Sequence, residues 1–172
     1  MDPLKNIYLI GFMCAGKTLT GRELAARLRR PFADCDAAVE RAAGRSVAAI
    51  VGKHGLGAFR RLEAAAVKKL CARRGTVIAL GGGVYPSRRW RGLLARTGFT
   101  VFLDCGWREL ERRLKAGRKG RPLLEGSEAA ALRGARRLLE KRLKYYEAAD
   151  MALDVTGLTP GQAAQVAAER LK

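Results

Sequence analysis

The sequence predicts an α/β domain in three layers, a parallel sheet covered by helices on both faces. Three observations carry that expectation. Short apolar runs rich in strand formers alternate with longer segments of helical periodicity along the chain. The connections are short, and no internal repeat, low-complexity segment or linker interrupts them. The glycine clusters and paired carboxylates fall at the carboxyl ends of the apolar runs, the rim where open parallel sheets take their ligands.

In order, residues 5–10 form the first strand and 17–30 the first helix, which Pro31 stops. Phe32 to Asp36 reads as a second strand ending in carboxylates, and Ala37 to Gly44 as a short helix closed by glycine. Ser46 caps a helix over Val47 to Lys53 that ends near His54-Gly55. Ala58 to Arg73 is a long helix with Leu62, Ala66 and Leu70 on its apolar side, ended by Gly75. Thr76 to Leu80 is a buried strand running into Gly81-Gly82-Gly83. Ser87 to Arg96 is helical, Phe99 to Asp104 a strand and Trp107 to Leu114 a helix. Residues 116–126 form a polar, cationic loop with glycines, and Ser127 caps a long helix to Tyr146. Met151 to Val155 is the last strand, and Pro160 opens a final helix over 160–171.

At 172 residues the chain is expected to be one domain, residues 1–172, long enough to bury roughly two-thirds of its unfolded surface. With 48% apolar residues it is not a disordered chain. No apolar run approaches the roughly 18 residues of a membrane span, and the first strand starts too early to leave room for a signal peptide. Cys14, Cys35, Cys71 and Cys105 show neither C-x-x-C nor metal-ligand spacing, and read as reduced thiols of a cytoplasmic protein. The net charge is +18, with 24 arginines among the 34 basic residues. Such a balance fits nucleic acid, an anionic surface or anionic substrates. These charges are spread along helices, with no basic tail and no nucleic-acid signature, so a solvated basic surface is expected and no nucleic acid partner. No subunit interface is evident, and a monomer is expected.

The chemistry begins at Gly11-Phe12-Met13-Cys14-Ala15-Gly16-Lys17-Thr18, a G-x-x-x-x-G-K-[ST] loop between a strand and a helix. Backbone N–H groups of such a loop turn inward around phosphates, and the helix N-terminus favours negative charge there. Lys17 reaches the outer phosphates, and the Thr18 hydroxyl is a ligand for Mg²⁺. Asp34 and Asp36, two apart at a strand end, face the same way. One suits the water shell of Mg²⁺, and the other a proton from a hydroxyl attacking the γ-phosphate. Alternatively, Asp36 caps the helix that starts at Ala37. Gly81-Gly82-Gly83 lets backbone N–H groups approach a ligand closely, or is a flexible turn. Glu63 orients the Arg60 guanidinium from one helical turn away, or the two form an ordinary surface pair. Arg121, in the cationic loop, suits the charge of a phosphoryl group in transfer from a mobile lid.

Together these motifs resemble the shikimate kinases. That family combines a phosphate loop, D-x-D, F-R-R-x-E, L-G-G-G, R-P-L-L and a late K-R. Here they stand as Gly11–Thr18, Asp34-Cys35-Asp36, Phe59–Glu63, Leu80–Gly83, Arg121–Leu124 and Lys141-Arg142, in the same order across essentially the whole chain. The resemblance implies a P-loop kinase fold like that of nucleoside monophosphate kinases, with a five-stranded sheet in the order 2-3-1-4-5. It implies a lid near 116–126 and a substrate-binding segment near 36–63. The implied reaction is ATP-dependent phosphorylation of the shikimate 3-hydroxyl, with ATP as co-substrate and Mg²⁺ as cofactor. Asp36 would hold and activate the acceptor hydroxyl, and Asp34 would act on Mg²⁺ through water beside Thr18. Arg60, Arg142 and the turn Gly81, Gly82 and Gly83 would bind shikimate, the arginines gripping its carboxylate. Lys17 and Arg121 would stabilise the transferring group, Arg121 also touching the substrate.

The nucleotide would lie on Gly11, Cys14, Ala15, Gly16, Lys17, Thr18 and Leu19, with Arg118 and Pro160 at adenine. The chain departs from the family at Cys14, where glycine is usual, and at Leu19, where a second hydroxyl is common. Leu114 stands at the spacing of the family's adenine-stacking arginine, with Arg113 beside it and Arg118 nearby, and Leu158 replaces a polar neighbour of Pro160. Two other functions compete: a gluconate kinase on the same fold, and an idle nucleotide- or nucleic-acid-binding module. The Arg60–Arg142 pair with Asp36 argues against the first, and intact Lys17, Thr18, Asp34, Asp36 and Arg121 against the second. Cys14 and Cys35 sit near the nucleotide site by sequence, either as oxidation-sensitive groups or as inert buried thiols.

Overall fold

The computed structural model describes residues 2–117 and 127–171. In chain order these form β1 (Asn6–Ile10), α1 (Lys17–Leu28), β2 (Phe32–Asp34), α2 (Cys35–Ala43), α3 (Val47–Cys71), β3 (Val77–Ala79) and α4 (Arg88–Thr97). β4 (Gly98–Asp104), α5 (Trp107–Ala116), α6 (Glu128–Tyr146), β5 (Met151–Asp154) and α7 (Pro160–Arg170) follow. The five strands make one parallel sheet in the order β2-β3-β1-β4-β5. Tyr8 of β1 pairs with Ile78 on one side and Thr100 on the other. Every residue of β1 and β3 is buried, as strands covered on both faces must be.

The sheet is closely covered. α1 packs on α7 through small residues, with Gly21 and Ala25 on one helix and Ala163, Ala164 and Ala167 buried on the other. A Cβ at Gly21 would fall 3.0 Å from Leu9 Cδ1, so the glycine lets α1 approach the sheet. Gly98, where β4 starts, is in extended backbone and lies against the Asn6 carbonyl of the neighbouring strand. Asn6 is buried and ties the bottom of the sheet, its Nδ2 donating to the Arg73 carbonyl (2.7 Å) and its Oδ1 accepting from Thr76 N (3.0 Å). At the other end of the chain, Thr159 and Gln162 form a capping box on α7, with Pro160 at its first position as expected.

Two boundaries differ from the sequence expectation. The second strand ends at Asp34, and α2 begins at Cys35, two residues earlier than expected. The cause is a side chain: Asp34 Oδ1 accepts from Asp36 N (2.9 Å) and Ala37 N (3.2 Å), which satisfies the open N–H groups of the helix. Asp34, not Asp36, is therefore the cap, and Asp36 belongs to the first helical turn. The helices expected over 47–53 and 58–73 form one element, α3, broken at Gly55 (φ 76°, ψ 167°), which is where the sequence places the break. The cationic loop lies largely at 118–126, outside the described residues, as do Arg118 and Arg121.

Candidate active site

The carboxyl ends of the strands open into a cleft of about 700 Å³. One wall is the loop at residues 13–16 and the start of α1. The floor carries Asp34, Asp36 and Gly81-Gly82, and the far wall carries Arg113 and residues 157–160. The phosphate loop leaves β1 at Gly11, whose Cβ would fall 2.7 Å from the Leu103 carbonyl oxygen, and enters α1 through Gly16 at φ 96°. Cys14 adopts φ 62°, the left-handed region. An L-residue in that region carries roughly 1–2 kcal/mol of strain that a glycine would not. Lys17 Nζ donates to the carbonyls of Gly11 (3.0 Å) and Phe12 (2.7 Å), folded over the loop from the first turn of α1.

Beside it, Thr18 Oγ1 donates to Asp34 Oδ2 (2.6 Å). Asp34 thus caps α2 with one oxygen and meets the loop with the other. Among the described residues no three His, Cys, Asp or Glu side chains gather into a metal site. A hydroxyl and one carboxylate are instead what Mg²⁺ takes when phosphates and water complete its shell, so the Thr18–Asp34 pair fits that ion. Asp36 stands in the cleft with an open surface and protein on several sides. Its pKa is pushed up to about 6, first by burial and then by Asp34, while Lys17 pulls it down.

The Gly81-Gly82-Gly83 turn is an assembly point, and a Cβ at each glycine would meet a different group. At Gly81 it would strike the Glu63 carboxylate and approach Asp36 Oδ1 at 3.4 Å. At Gly82 it would lie 3.3 Å from the Gly11 carbonyl oxygen and 3.5 Å from both Arg142 Nη1 and the Tyr146 hydroxyl. At Gly83 it would lie 2.7 Å from Arg60 Nη1. The chain therefore brings together Asp36, Arg60 and Arg142 from α2, α3 and α6 around one bare backbone segment. Arg60 donates from Nη1 to Glu63 Oε2, and Glu63 is only 5% exposed, so this is no ordinary surface pair. The other Glu63 oxygen, Oε1, is buried without a hydrogen-bond partner.

At the wall expected to face adenine, Arg118 lies outside the described residues, and helix phase decides between Leu114 and Arg113. Leu114 is fully buried on the inner face of α5, and its neighbour Arg113 turns into the cleft. Arg113 donates to the Cys14 carbonyl (3.3 Å) and to Glu109 (2.7 Å). Hydrogen bonds from Arg112 and Arg113 hold the Glu109 carboxyl down to about 2, so it stays ionised. Pro160 and Leu158 line the same wall, and Leu19 is 57% exposed at the cleft edge. Cys35 is buried, and burial, then Asp36 and Glu63, push its thiol far above the usual range; it is the inert alternative. Cys14 is half-buried in the loop, and all four cysteines are free thiols.

Two side chains at the site had no assigned part in the sequence reading. Glu109 is an unremarked helical acid. Tyr146 ends α6, four residues after Arg142, and that spacing on one helix face is the signal that could have found it.

The comparisons with known proteins bear on this geometry. The family model for shikimate kinase matches residues 13–172. A shikimate kinase of Synechococcus sp. (strain JA-3-3Ab) is 39% identical over 162 residues, covering 93% of this chain and 84% of that protein. The structure of a shikimate kinase from Acinetobacter baumannii in complex with shikimate superposes with a TM-score of 0.91 at 33% identity, covering 99% of this chain and 94% of that one. A gluconokinase from Sinorhizobium meliloti shares the fold alone, with a TM-score of 0.61 at 20% identity over 99% of this chain and 95% of that one. With the family model matched over most of its length and relatives of this identity and fold, the chain belongs to the shikimate kinase family.

Proposed function

We propose that this site transfers the γ-phosphoryl group of ATP to the 3-hydroxyl of shikimate, giving shikimate 3-phosphate and ADP on the route to chorismate and the aromatic amino acids. The observation that carries the reading is the grouping of two guanidinium side chains, Arg60 and Arg142, with a carboxylate of raised pKa, Asp36, around one glycine turn. Guanidinium groups bond a carboxylate bidentately, which suits an acidic acceptor better than a neutral sugar.

The placement of the side chains supports a role for each. Arg60, steadied by Glu63, and Arg142 hold the acceptor carboxylate, and the Gly82 backbone lies beneath it. Asp36 takes the proton of the attacking hydroxyl as its oxygen bonds to the γ-phosphorus and the bond to ADP breaks. A pKa near 6 suits a base that works at neutral pH. Lys17 gives up the carbonyls of Gly11 and Phe12 for phosphate oxygens, and the loop N–H groups with the start of α1 cradle them. Thr18, and Asp34 through water, would hold Mg²⁺, which supplies positive charge to the phosphates. Arg121 is assigned to the transferring group on the strength of its R-P-L-L motif. Adenine is assigned to Arg113 and Pro160, which line the same cleft. Free thiols support a cytoplasmic setting, and the chain is taken as a monomer without a nucleic acid partner. Among the described residues no helix is long and apolar enough to cross a membrane.

The test is ADP release from Mg-ATP with shikimate, with gluconate, with AMP and with no acceptor. Release with shikimate alone is expected. Release with gluconate would keep the phosphoryl chemistry and overturn the assignment of Arg60 and Arg142 to a carboxylate.

A further inference from the structure

Tyr146 lies at the last turn of α6 with no exposed surface. Its ring stacks on Phe102 of the central sheet, with centroids 5.3 Å apart and planes 23° apart. Its hydroxyl donates to the Gly82 carbonyl. The Arg142 side chain, one helical turn back, approaches the same hydroxyl at Gly82, and Arg60 adds positive charge nearby. Burial raises the phenol pKa, with Arg142 and Arg60 acting against it, so the group stays a neutral donor at working pH.

A phenol has one proton and two lone pairs. The proton is committed to the Gly82 carbonyl, so the lone pairs remain for a guanidinium. Arg142 Nη1 and the Tyr146 hydroxyl each stand 3.5 Å from where a Gly82 Cβ would be, so both groups converge on this one turn position. The long Arg142 side chain would otherwise sample many rotamers, each lost on binding. A hydroxyl anchored to the turn at one end and to the sheet through its ring removes that freedom in advance.

We infer that Tyr146 is a positioning residue for the acceptor: its hydroxyl links the Arg142 guanidinium to the Gly82 carbonyl and so fixes the carboxylate-binding fork over the glycine turn. This rests on the reading of Arg142 as a ligand of the acceptor carboxylate. The hydroxyl bonds the Gly82 turn and not the phosphate loop or Asp36, so its effect should fall on acceptor binding and not on nucleotide binding or turnover.

Steady-state kinetics of four proteins test it: wild type, Tyr146→Phe, Arg142→Ala and the double variant. Tyr146→Phe keeps the ring on Phe102 and removes only the hydroxyl. Its KM for shikimate should rise about tenfold, the scale of a hydrogen bond to a charged group. Its kcat and its KM for ATP should stay within about twofold of wild type. Arg142→Ala should raise the shikimate KM further, and the double variant should be no worse than Arg142→Ala alone, because the hydroxyl acts only through that guanidinium. An unchanged shikimate KM in Tyr146→Phe would overturn the link. So would a parallel rise for ATP, or a full Tyr146→Phe effect that persists without Arg142, since each marks general packing. An unchanged shikimate KM in Arg142→Ala would overturn the carboxylate reading and the link with it. Should Tyr146→Phe fail to fold, Tyr146→4-aminophenylalanine keeps the ring and a donor for Gly82 but accepts poorly from a guanidinium. It should show the same rise in shikimate KM, and a wild-type value there overturns the proposal.

Discussion

Asp36 holds two opposing demands in one carboxylate. Its raised pKa means the folded protein binds its proton more tightly than the unfolded chain, where the value is near 3.9. The contribution to stability is therefore present below about pH 4 and lost as pH rises through about 6. Asp36→Asn removes that loss, and the open cleft screens the effect, so the variant should gain about 1 kcal/mol at pH 7 over wild type. Urea unfolding at pH 4 and pH 7 checks this, with the difference confined to the higher pH. The same change should lower kcat by about 10² to 10⁴, as loss of a general base does, while ATP binding survives. Wild-type kcat/KM should fall below about pH 6 as the carboxylate protonates. Cys14 makes a second case. Cys14→Gly relieves the left-handed strain but adds freedom to the unfolded chain, leaving a net gain of about 0.5 kcal/mol with turnover retained. Thermal unfolding measures it, and a clear loss would show that the thiol contact with the Arg113 carbonyl outweighs the strain.

Elements fail or hold through their backbones. A Cβ at Gly98 would lie 2.9 Å from the Asn6 carbonyl carbon and 2.6 Å from the Tyr8 ring, at a strand register where neither can withdraw. Gly98→Ala should lower stability by about 2 kcal/mol, seen as a lower urea midpoint at unchanged slope. The strand and helix alternation was legible because a parallel sheet imposes it on composition, and the Gly55 break because glycine interrupts a helical pattern. The start of α2 was not legible. Which of two nearby aspartates turns back to cap a helix depends on the angle at which the chain leaves the sheet, and the spacing alone fits both. The motif residues of the site were readable for the same reason that they are motifs: phosphate, carboxylate and metal each require particular groups at particular spacings. Spacing left Leu114, Arg113 and Arg118 open, because helix phase, set by burial of Leu114, decides which neighbour faces the cleft. Tyr146 carries no motif at all, and its partners lie 44 and 64 positions away at Phe102 and Gly82, or on its own helix at Arg142.

For the molecule as a whole, the net charge is +18, and the proposed substrates of the cleft are anions. Its substrates would carry negative charge, so encounter should be steered and sensitive to screening. Raising salt from 0.05 to 0.5 M should lower kcat/KM for shikimate several-fold with kcat little changed, beyond the shift that ionic strength causes in Mg-ATP itself. A flat salt profile would assign the charge to solubility alone. The sheet also explains why distant motifs act together. Parallel strands deliver every βα connection to one edge, so residues as far apart as Met13 and Ala163 line a single cleft.

The glycine turn at 81–83 sets the mutational tolerance of that cleft. A methyl group at each of its three positions presses on a different neighbour, and so would injure a different function. At 81 it displaces the buried Glu63 and crowds Asp36. At 82 it pushes on the Gly11 carbonyl of the phosphate loop and on the Arg142 guanidinium. At 83 it dislodges Arg60. Three consecutive alanine variants should thus give three separable phenotypes. A stretch that looks like the least informative composition in the chain carries instructions to three parts of the enzyme at once.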